Sequence, residues 1–212
     1  MTEYKLGKDR ATGEIVVITD ANRGRTCNCV CPYCGKDFVA AQGDKNEWHF
    51  RHYDKTTCKG GQETALHLLA KDIIANNTQI TLPFHGTVLY DNAVKEKYFQ
   101  TIKPDVTANT NGQNIFFEVL VTHPVDTVKE NIYKDGEHKS IEIDLKNYSF
   151  KNREDLEKEI LLNCDNKRLI FWEKKVVAQT NNDNSVLYFV LFLLLGLLTF
   201  GLIKSSNRRS RR

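Results

Sequence analysis

The chain has 212 residues, of which 41% are hydrophobic and 27% charged, and these proportions exclude a protein that is disordered along its whole length. The formal net charge of +3 at pH 7 is concentrated at one end, since five cations and no acidic residue lie within 204–212. Residues 1–203 carry 25 cations and 27 acidic residues, so bulk charge gives no argument for nucleic-acid binding, and any such site must be local.

The predicted elements change in type at Gly60-Gly61. Before this point the sequence predicts a strand at 14–19 and a hairpin formed by 36–40 and 47–50. After it, apolar residues recur at helical spacing and predict an amphipathic helix over 62–76. Strands are then predicted at 80–82, 87–90, 97–102, 105–108, 115–121, 139–145 and 168–172, and helices at 124–134 and 153–162. This order predicts a mixed α/β fold of the α+β class.

The far end of the chain is predicted to anchor it in a membrane. Residues 186–203 carry no charge, and as a helix they would span about 27 Å, close to the ~30 Å of a bilayer core. A polar linker at 179–185 precedes this predicted transmembrane helix, and the basic tail at 204–212 follows it. The N-terminus has no apolar stretch, so no signal peptide is expected. We therefore expect a single-pass membrane protein whose main domain is cytoplasmic.

A cluster of cysteines and histidines predicts a metal site. Five of the six cysteines lie between Cys27 and Cys58, which in a reducing compartment favours a metal over disulfides. The turn Cys31-Pro32-Tyr33-Cys34-Gly35 directs two thiolates at one point, and His52 and Cys58 can complete a tetrahedral Zn²⁺ site. Four protein ligands leave no open position, so the zinc is expected to be structural. Residues 1–60 are interpreted as N-terminal strands with a small β zinc ribbon.

The choice of individual zinc ligands stays open at this point. His49 competes with His52 for the third position, and Cys27 or Cys29 could replace one of the thiolates. His52 is preferred because it follows the predicted strand, where the chain turns toward Cys58. The alternative to a metal is a set of reduced, unligated cysteines or a disulfide.

Two carboxylates lie on a predicted hairpin farther along the chain. Asp105 begins one strand, the Asn111-Gly112 turn reverses the chain, and Glu118 lies within an apolar run on the returning strand. An ionised glutamate buried there would cost several kcal/mol unless it were paired or bound to a metal. Because carboxylates on adjacent strands can hold a divalent cation, Asp105 and Glu118 are predicted to bind one. The alternative is that Glu118 is a satisfied structural residue.

The order of these motifs resembles a known family. Pro104-Asp105 followed by Glu118, in the order helix–strand–strand–strand–helix–strand, resembles the PD-(D/E)XK restriction-endonuclease-like core. The whole arrangement is similar to the CoiA-like competence proteins, which join a zinc ribbon to this core. The matching segments are Cys31-Pro32-Tyr33-Cys34, His49-Phe50-Arg51-His52, Cys58 and Glu63-Thr64-Ala65-Leu66-His67, with threonine where the family has serine. The resemblance covers roughly residues 13–145.

This resemblance implies a function for residues 61–178. They are expected to form a nuclease-like domain that hydrolyses phosphodiester bonds, with Mg²⁺ or Mn²⁺ as the catalytic metal and Zn²⁺ as the structural one. The implied catalytic carboxylates are Glu63, Asp105 and Glu118, of which Asp105 and Glu118 are the implied ligands of Mg²⁺. Glu63 also begins a helical stripe that continues through His67 and Lys71.

One departure from the family motif concerns its lysine. The motif places a lysine two residues after the glutamate, on the same face of the strand, but this chain has Leu120 there. Lys129, in the next predicted helix, is the candidate for a migrated lysine, with Lys103 and Lys71 as alternatives. Thr122 lies on the same strand face as Glu118 and could hydrogen-bond a water or a phosphate.

The leading hypothesis is a membrane-anchored, metal-dependent nuclease that acts in DNA uptake and processing or in defence against foreign DNA. Nucleic acid, DNA rather than RNA, and the membrane are the expected partners, with a second copy of the chain or other membrane-associated proteins as further ones. Two other classes compete with this hypothesis. One is a catalytically inactive nucleic-acid-binding adaptor with the same fold, and the other is a membrane scaffold that uses the zinc module for protein contacts.

Overall fold

The computed structural model describes residues 4–56 and 58–173, which form a mixed α+β fold. The predicted linker, transmembrane segment and basic tail lie outside these residues. Within the described ranges, no helix is both long enough and apolar enough to cross a membrane.

The N-terminal part consists of two small antiparallel sheets. Strands β1 (Leu6–Asp9), β2 (Ile15–Val17) and β3 (Cys29–Val30) form one sheet in the order β2-β1-β3. Strands β4 (Phe38–Ala41) and β5 (His49–His52) form the predicted hairpin. A small core between them contains Tyr4, Phe38, Phe50 and four of the cysteines.

A close contact fixes where this part joins the rest of the chain. Helix α1 (Gly61–Ala75) begins at Gly61, where a Cβ atom would lie only 2.9 Å from Tyr4 Cε1 and 3.1 Å from Cys31 Sγ. Glycine is therefore required for the helix to start against the cysteine cluster. Leu6, Ile15 and Val17 pack into the same core as α1, so the first two strands also support the larger sheet.

The larger sheet has five strands in the order β12-β11-β10-β9-β8. Its strands are β8 (Asp91–Lys95), β9 (Val106–Thr110), β10 (Gln113–Leu120), β11 (Lys139–Asp144) and β12 (Lys167–Phe171). Strands β9 and β10 pair antiparallel around the predicted Asn111-Gly112 turn, whereas β10 and β11 pair in parallel. Strands β6 (Gln79–Leu82) and β7 (Gly86–Leu89) form a separate hairpin.

Helices cover both faces of the five-stranded sheet. Phe117 and Val119 of β10 belong to the main core with α1 and α3 (Arg153–Leu161), while Phe116 packs on the opposite side against Tyr133 of α2 (Thr127–Asp135). Because side chains alternate along a strand, Glu118 faces the same side as Phe116. The fold thereby places a carboxylate beneath α2.

All three helices and most strands lie close to where the sequence predicts them, but the predicted strand at 97–102 is wrong. The strand that pairs with β9 ends at Lys95, before this segment. Glu96 and Gln100 both have a φ of 52°, which an extended strand does not allow. Phe99 and Ile102 instead exchange backbone hydrogen bonds of 2.9 and 3.0 Å across a tight turn.

Candidate metal centre and buried carboxylate pair

The four predicted zinc ligands converge in the N-terminal part. The ligand atoms of Cys31, Cys34, His52 and Cys58 all lie within 4.8 Å of one another. Cys34 Sγ is 3.2 Å from His52 Nε2, and Cys31 Sγ is 3.9 Å from Cys58 Sγ. Tetrahedral ligation at ~2.0–2.3 Å places ligand atoms about 3.5–3.8 Å apart, so this Cys₃His cluster could hold a metal such as zinc.

Local backbone contacts explain why these ligands meet. The turn after Cys31 closes through a 2.9 Å hydrogen bond from Gly35 N to Cys31 O, and Gly35 has a φ of 73°, which favours glycine. His52 ends β5, where its ring lies 4.9 Å from that of Phe38. The hydroxyl of Tyr4 donates to the backbone carbonyl of Cys58 and holds the fourth ligand in place.

Burial has opposite effects on the two kinds of ligand. It raises the pKa of the Cys31 thiol to about 12, so without a metal this thiol is protonated at neutral pH. It lowers the pKa of His52, which favours the neutral imidazole that coordinates metals. A bound cation would compensate the cost of forming buried thiolates, and metal binding is therefore expected to release protons.

The competing ligands take no part in this cluster. His49 Nδ1 lies 2.8 Å from the carbonyl of Glu47, and Cys29 Sγ lies 3.0 Å from the carbonyl of Cys27. All six cysteines are free, so the described residues contain no disulfide.

The second site is a pair of carboxylates, Asp105 directly before β9 and Glu118 on β10. Val106 pairs with Phe117, so Asp105, one residue earlier, lies opposite Glu118 on the neighbouring strand. Asp105 Oδ2 accepts a 2.9 Å hydrogen bond from Val119 N and another of 2.9 Å from His67 Nε2. Asp105 Oδ1 lies 3.7 Å from Lys71 Nζ.

Glu118 is only 4% exposed, and the cation that pairs with it lies on α2. Lys129 Nζ lies 2.7 Å from Glu118 Oε1 and 2.8 Å from Oε2, and the hydroxyl of Tyr133 donates to Oε1. Lys129 is positioned from the first turn of α2, where the side chain of the N-cap residue Asp126 accepts a 2.9 Å hydrogen bond from Lys129 N. Lys129 thus supplies a cation to the strand face on which Leu120 occupies the position of the motif lysine.

The two carboxylates differ in pKa. Burial raises the pKa of Glu118 to about 6, and the nearby Asp105 charge adds to this effect, while Lys129 and Tyr133 oppose it. Burial also acts to raise the pKa of Asp105, but His67, Val119 N–H and Lys71 together hold it below its ordinary value. Near neutral pH both are ionised, and Glu118 is the one closer to protonation.

The remaining predicted residues surround this pair, some exposed and one buried. Thr122 Oγ1 is 3.3 Å from Glu63 Oε2, and both side chains are exposed. Lys71 is 4% exposed and contacts Glu96 at 2.7 Å, whereas Lys103 binds the other oxygen of Glu96 at 2.6 Å. In the described part of the chain, Glu63, Asp105 and Glu118 do not bring three ligand atoms within 4.8 Å of one another, as the Cys₃His cluster does.

Two neighbours of Glu118 were missed by sequence reasoning. Tyr133 follows Lys129 by one helical turn, so helical spacing could have identified it. Glu142 of β11 pairs with Glu118 in register and is also 4% exposed, but it accepts hydrogen bonds from Arg168 Nε (3.0 Å) and Val125 N (2.7 Å). Glu142 therefore has a structural role that no local sequence signal indicates.

No family model, curated protein or solved structure matches this chain. The resemblance to the CoiA-like proteins rests on the motifs themselves and stays a prediction.

The metal centre can be tested by removing one ligand. Cys34 is exposed, so Cys34→Ser removes a ligand without opening a cavity. We expect the wild-type chain to purify with about one zinc, and the variant to lose the metal and several kcal/mol of unfolding free energy, because structural zinc contributes directly to folding. Elemental analysis and thermal unfolding measure both effects. Cys164→Ser, outside the cluster, is the control; a Cys34→Ser protein with unchanged metal content and melting temperature would contradict this assignment.

The raised pKa of Glu118 predicts a pH-dependent stability. A folded-state pKa of about 6 lies above the ordinary glutamate value of 4.5, so ionising Glu118 costs stability as the pH rises from about 4.5 to 6. Without added divalent metal, the free energy of unfolding of Glu118→Gln should therefore rise relative to that of the wild type by up to about 2 kcal/mol as the pH increases from 4 to 7.5. Denaturant unfolding at several pH values measures the difference. A constant difference across this range would show that Glu118 titrates normally.

Proposed function

We propose that the protein is a membrane-anchored, metal-dependent nuclease that hydrolyses phosphodiester bonds in nucleic acid, DNA rather than RNA. The observation that supports this most strongly is the pair formed by Asp105, directly before β9, and Glu118 on the neighbouring strand β10, with Lys129 Nζ 2.7 Å from Glu118. The buried carboxylate of Glu118 and the partly buried carboxylate of Asp105 repel each other, which costs folding free energy. Such an arrangement is typical of a functional site, where perturbed pKa values cluster.

The donor set suits a hard divalent cation such as Mg²⁺ or Mn²⁺, since both residues offer carboxylate oxygens. Both hydrogen bonds to Asp105 fall on Oδ2, and Oδ1 has only the longer 3.7 Å contact with Lys71. Both oxygens of Glu118 contact Lys129, so metal binding would require Lys129 to move off this carboxylate. Glu63, at the rim, would complete the acidic set directly or through water.

The residues around the pair would divide the chemistry among them. A bound divalent metal would supply Lewis-acid stabilisation of the phosphate charge and lower the pKa of a water. His67 and Val119 N–H orient the Asp105 carboxylate through their 2.9 Å hydrogen bonds. Lys129, once released from Glu118, would stabilise the negative charge that develops on the phosphate, and the hydroxyl of Thr122 would donate a further hydrogen bond.

The same geometry also favours a second function, a nucleic-acid-binding adaptor without catalysis. Glu118 is already neutralised by Lys129, and Asp105 is hydrogen-bonded by His67. A site whose carboxylates are satisfied internally can persist without a metal. The nuclease and the adaptor therefore differ in whether Lys129 leaves Glu118.

The proposal also assigns a structural role to Zn²⁺ and a membrane location to the domain. Zn²⁺ in the Cys₃His cluster would be structural, and residues 186–203 would tether the domain to the cytoplasmic face of a membrane. Cutting would then be confined to DNA at the cell periphery, which suits either uptake and processing of DNA or defence against foreign DNA.

Cleavage of labelled DNA and RNA by the full-length chain in Mg²⁺ or Mn²⁺ tests the proposed reaction. Glu118→Gln and Asp105→Asn should abolish cleavage, because each removes a metal-binding oxygen charge while preserving side-chain shape. Lys129→Ala should reduce the rate roughly 100-fold, as loss of one transition-state donor does.

Lys134→Ala is the matched control, since Lys134 lies on the same helix but pairs with Glu130 at the surface. It should cleave at the wild-type rate. If the wild type and Glu118→Gln are equally inert and both bind DNA, the protein is the adaptor.

A further inference from the structure

A concavity of about 590 Å³ opens on the outer face of the β4–β5 hairpin, a volume within the ~300–1,000 Å³ of ligand sites. Val39 and Arg51, which pair in register, line it from the two strands. Their neighbours Phe38 and Phe50 point into the small core instead. Neither the metal ligands nor the carboxylate pair line this concavity, so the functions described above leave it unexplained.

The lining carries an excess of positive charge. Arg25, Arg51 and Lys55 contribute three cations, and Asp54 is the one acidic residue among them. The Asp54 carboxylate is paired with Lys36 at 2.9 Å, so its charge is compensated from outside the lining. An anionic ligand is therefore favoured.

An aromatic ring is held beside these cations. The guanidinium carbon of Arg25 lies 4.2 Å from the ring centroid of Tyr53. Tyr53 as a whole residue is still 53% exposed. Arg25 covers one part of the ring in a cation–π contact, and the exposed part is open to a ligand.

The backbone that presents this ring and guanidinium is fixed by hydrogen bonds. Tyr53 N donates to Asp37 O at 2.9 Å. Gly24, next to Arg25, exchanges hydrogen bonds of 2.9 and 3.0 Å with Ala40 of β4. Because both groups are positioned before a ligand arrives, little conformational entropy is lost on binding.

We propose that this concavity binds single-stranded nucleic acid, with backbone phosphates on Arg25, Arg51 and Lys55 and an unstacked base on the ring of Tyr53. Cations that follow a backbone and an aromatic ring that stacks a base are the combination by which proteins bind single strands. A duplex hides its base faces, so a single strand is the form that uses Tyr53. The identity of the partner rests on the proposed function, but this contact is separate from the carboxylate pair.

Fluorescence anisotropy of a labelled oligothymidylate with the full-length, zinc-loaded chain tests this assignment. The buffer contains no added divalent metal, so binding is measured independently of cleavage. Tyr53→Ala should weaken binding roughly tenfold, and Tyr53→Phe should retain it, because stacking needs only the ring. Arg51→Gln should weaken binding and reduce the slope of log affinity against log salt by about 0.7, the loss of one phosphate contact.

Two variants at exposed positions outside the concavity are the matched controls. Phe84→Ala removes a 92% exposed aromatic side chain on the β6–β7 turn, and Lys146→Gln removes an exposed cation. Both should bind the oligonucleotide with wild-type affinity. If Tyr53→Ala fails to fold, Arg51→Gln decides the question, because its side chain lies outside the hairpin core. Wild-type affinity in both Tyr53→Ala and Arg51→Gln would overturn the proposal. So would binding to vesicles of anionic phospholipid without binding to the oligonucleotide, which would make this a membrane-facing surface.

Discussion

The ionised carboxylate of Glu118, buried between the sheet and α2, is the constraint on which the second half of the structure depends. Its charge has to be balanced within the fold, since a carboxylate that is 4% exposed receives little help from solvent. Lys129 and Tyr133 supply that balance from one face of α2, and Asp126 caps the helix so that Lys129 begins in the right place. Asp105 then adds a second negative charge next to the first, and the proposed cation-binding role depends on this arrangement.

The Cys₃His cluster and the carboxylate pair are connected through α1. This helix starts at Gly61, next to Tyr4 and to Cys31 of the cluster, and less than two turns later presents His67 to Asp105. A metal that orders the cluster would thereby fix the start of the helix that orients the carboxylate. The concavity lies on the same β4–β5 hairpin as His52, so the proposed single-strand contact and the Cys₃His cluster share one structural element.

The sequence predicts those features that local spacing determines. The turn at Cys31–Gly35, the hairpin at Asn111-Gly112 and the helical periodicity of α1 each follow from a few adjacent residues. The first directs Cys31 and Cys34 at one point, and the second sets Asp105 opposite Glu118. Contacts between distant elements were not predictable, because no local pattern reports them. Glu142 with Arg168, and Leu6 packed into the core of α1, are examples. The prediction of a strand at 97–102 was wrong for a related reason. The aromatic residues of this segment favour a strand, but Gln100, with a left-handed φ, lies in the turn that Phe99 and Ile102 close.

Manganese binding by the full-length, zinc-loaded chain tests most directly whether the Glu118–Asp105 pair is a metal site. Electron paramagnetic resonance of free Mn²⁺ counts the ions that the protein removes from solution. The account predicts about one site per chain that is lost in Glu118→Gln and retained in Glu154→Gln, a change of an exposed glutamate on α3. Equal Mn²⁺ binding by the wild type and Glu118→Gln, or none by either, would show that Glu118 and Lys129 form a structural ion pair and contradict the proposed chemistry.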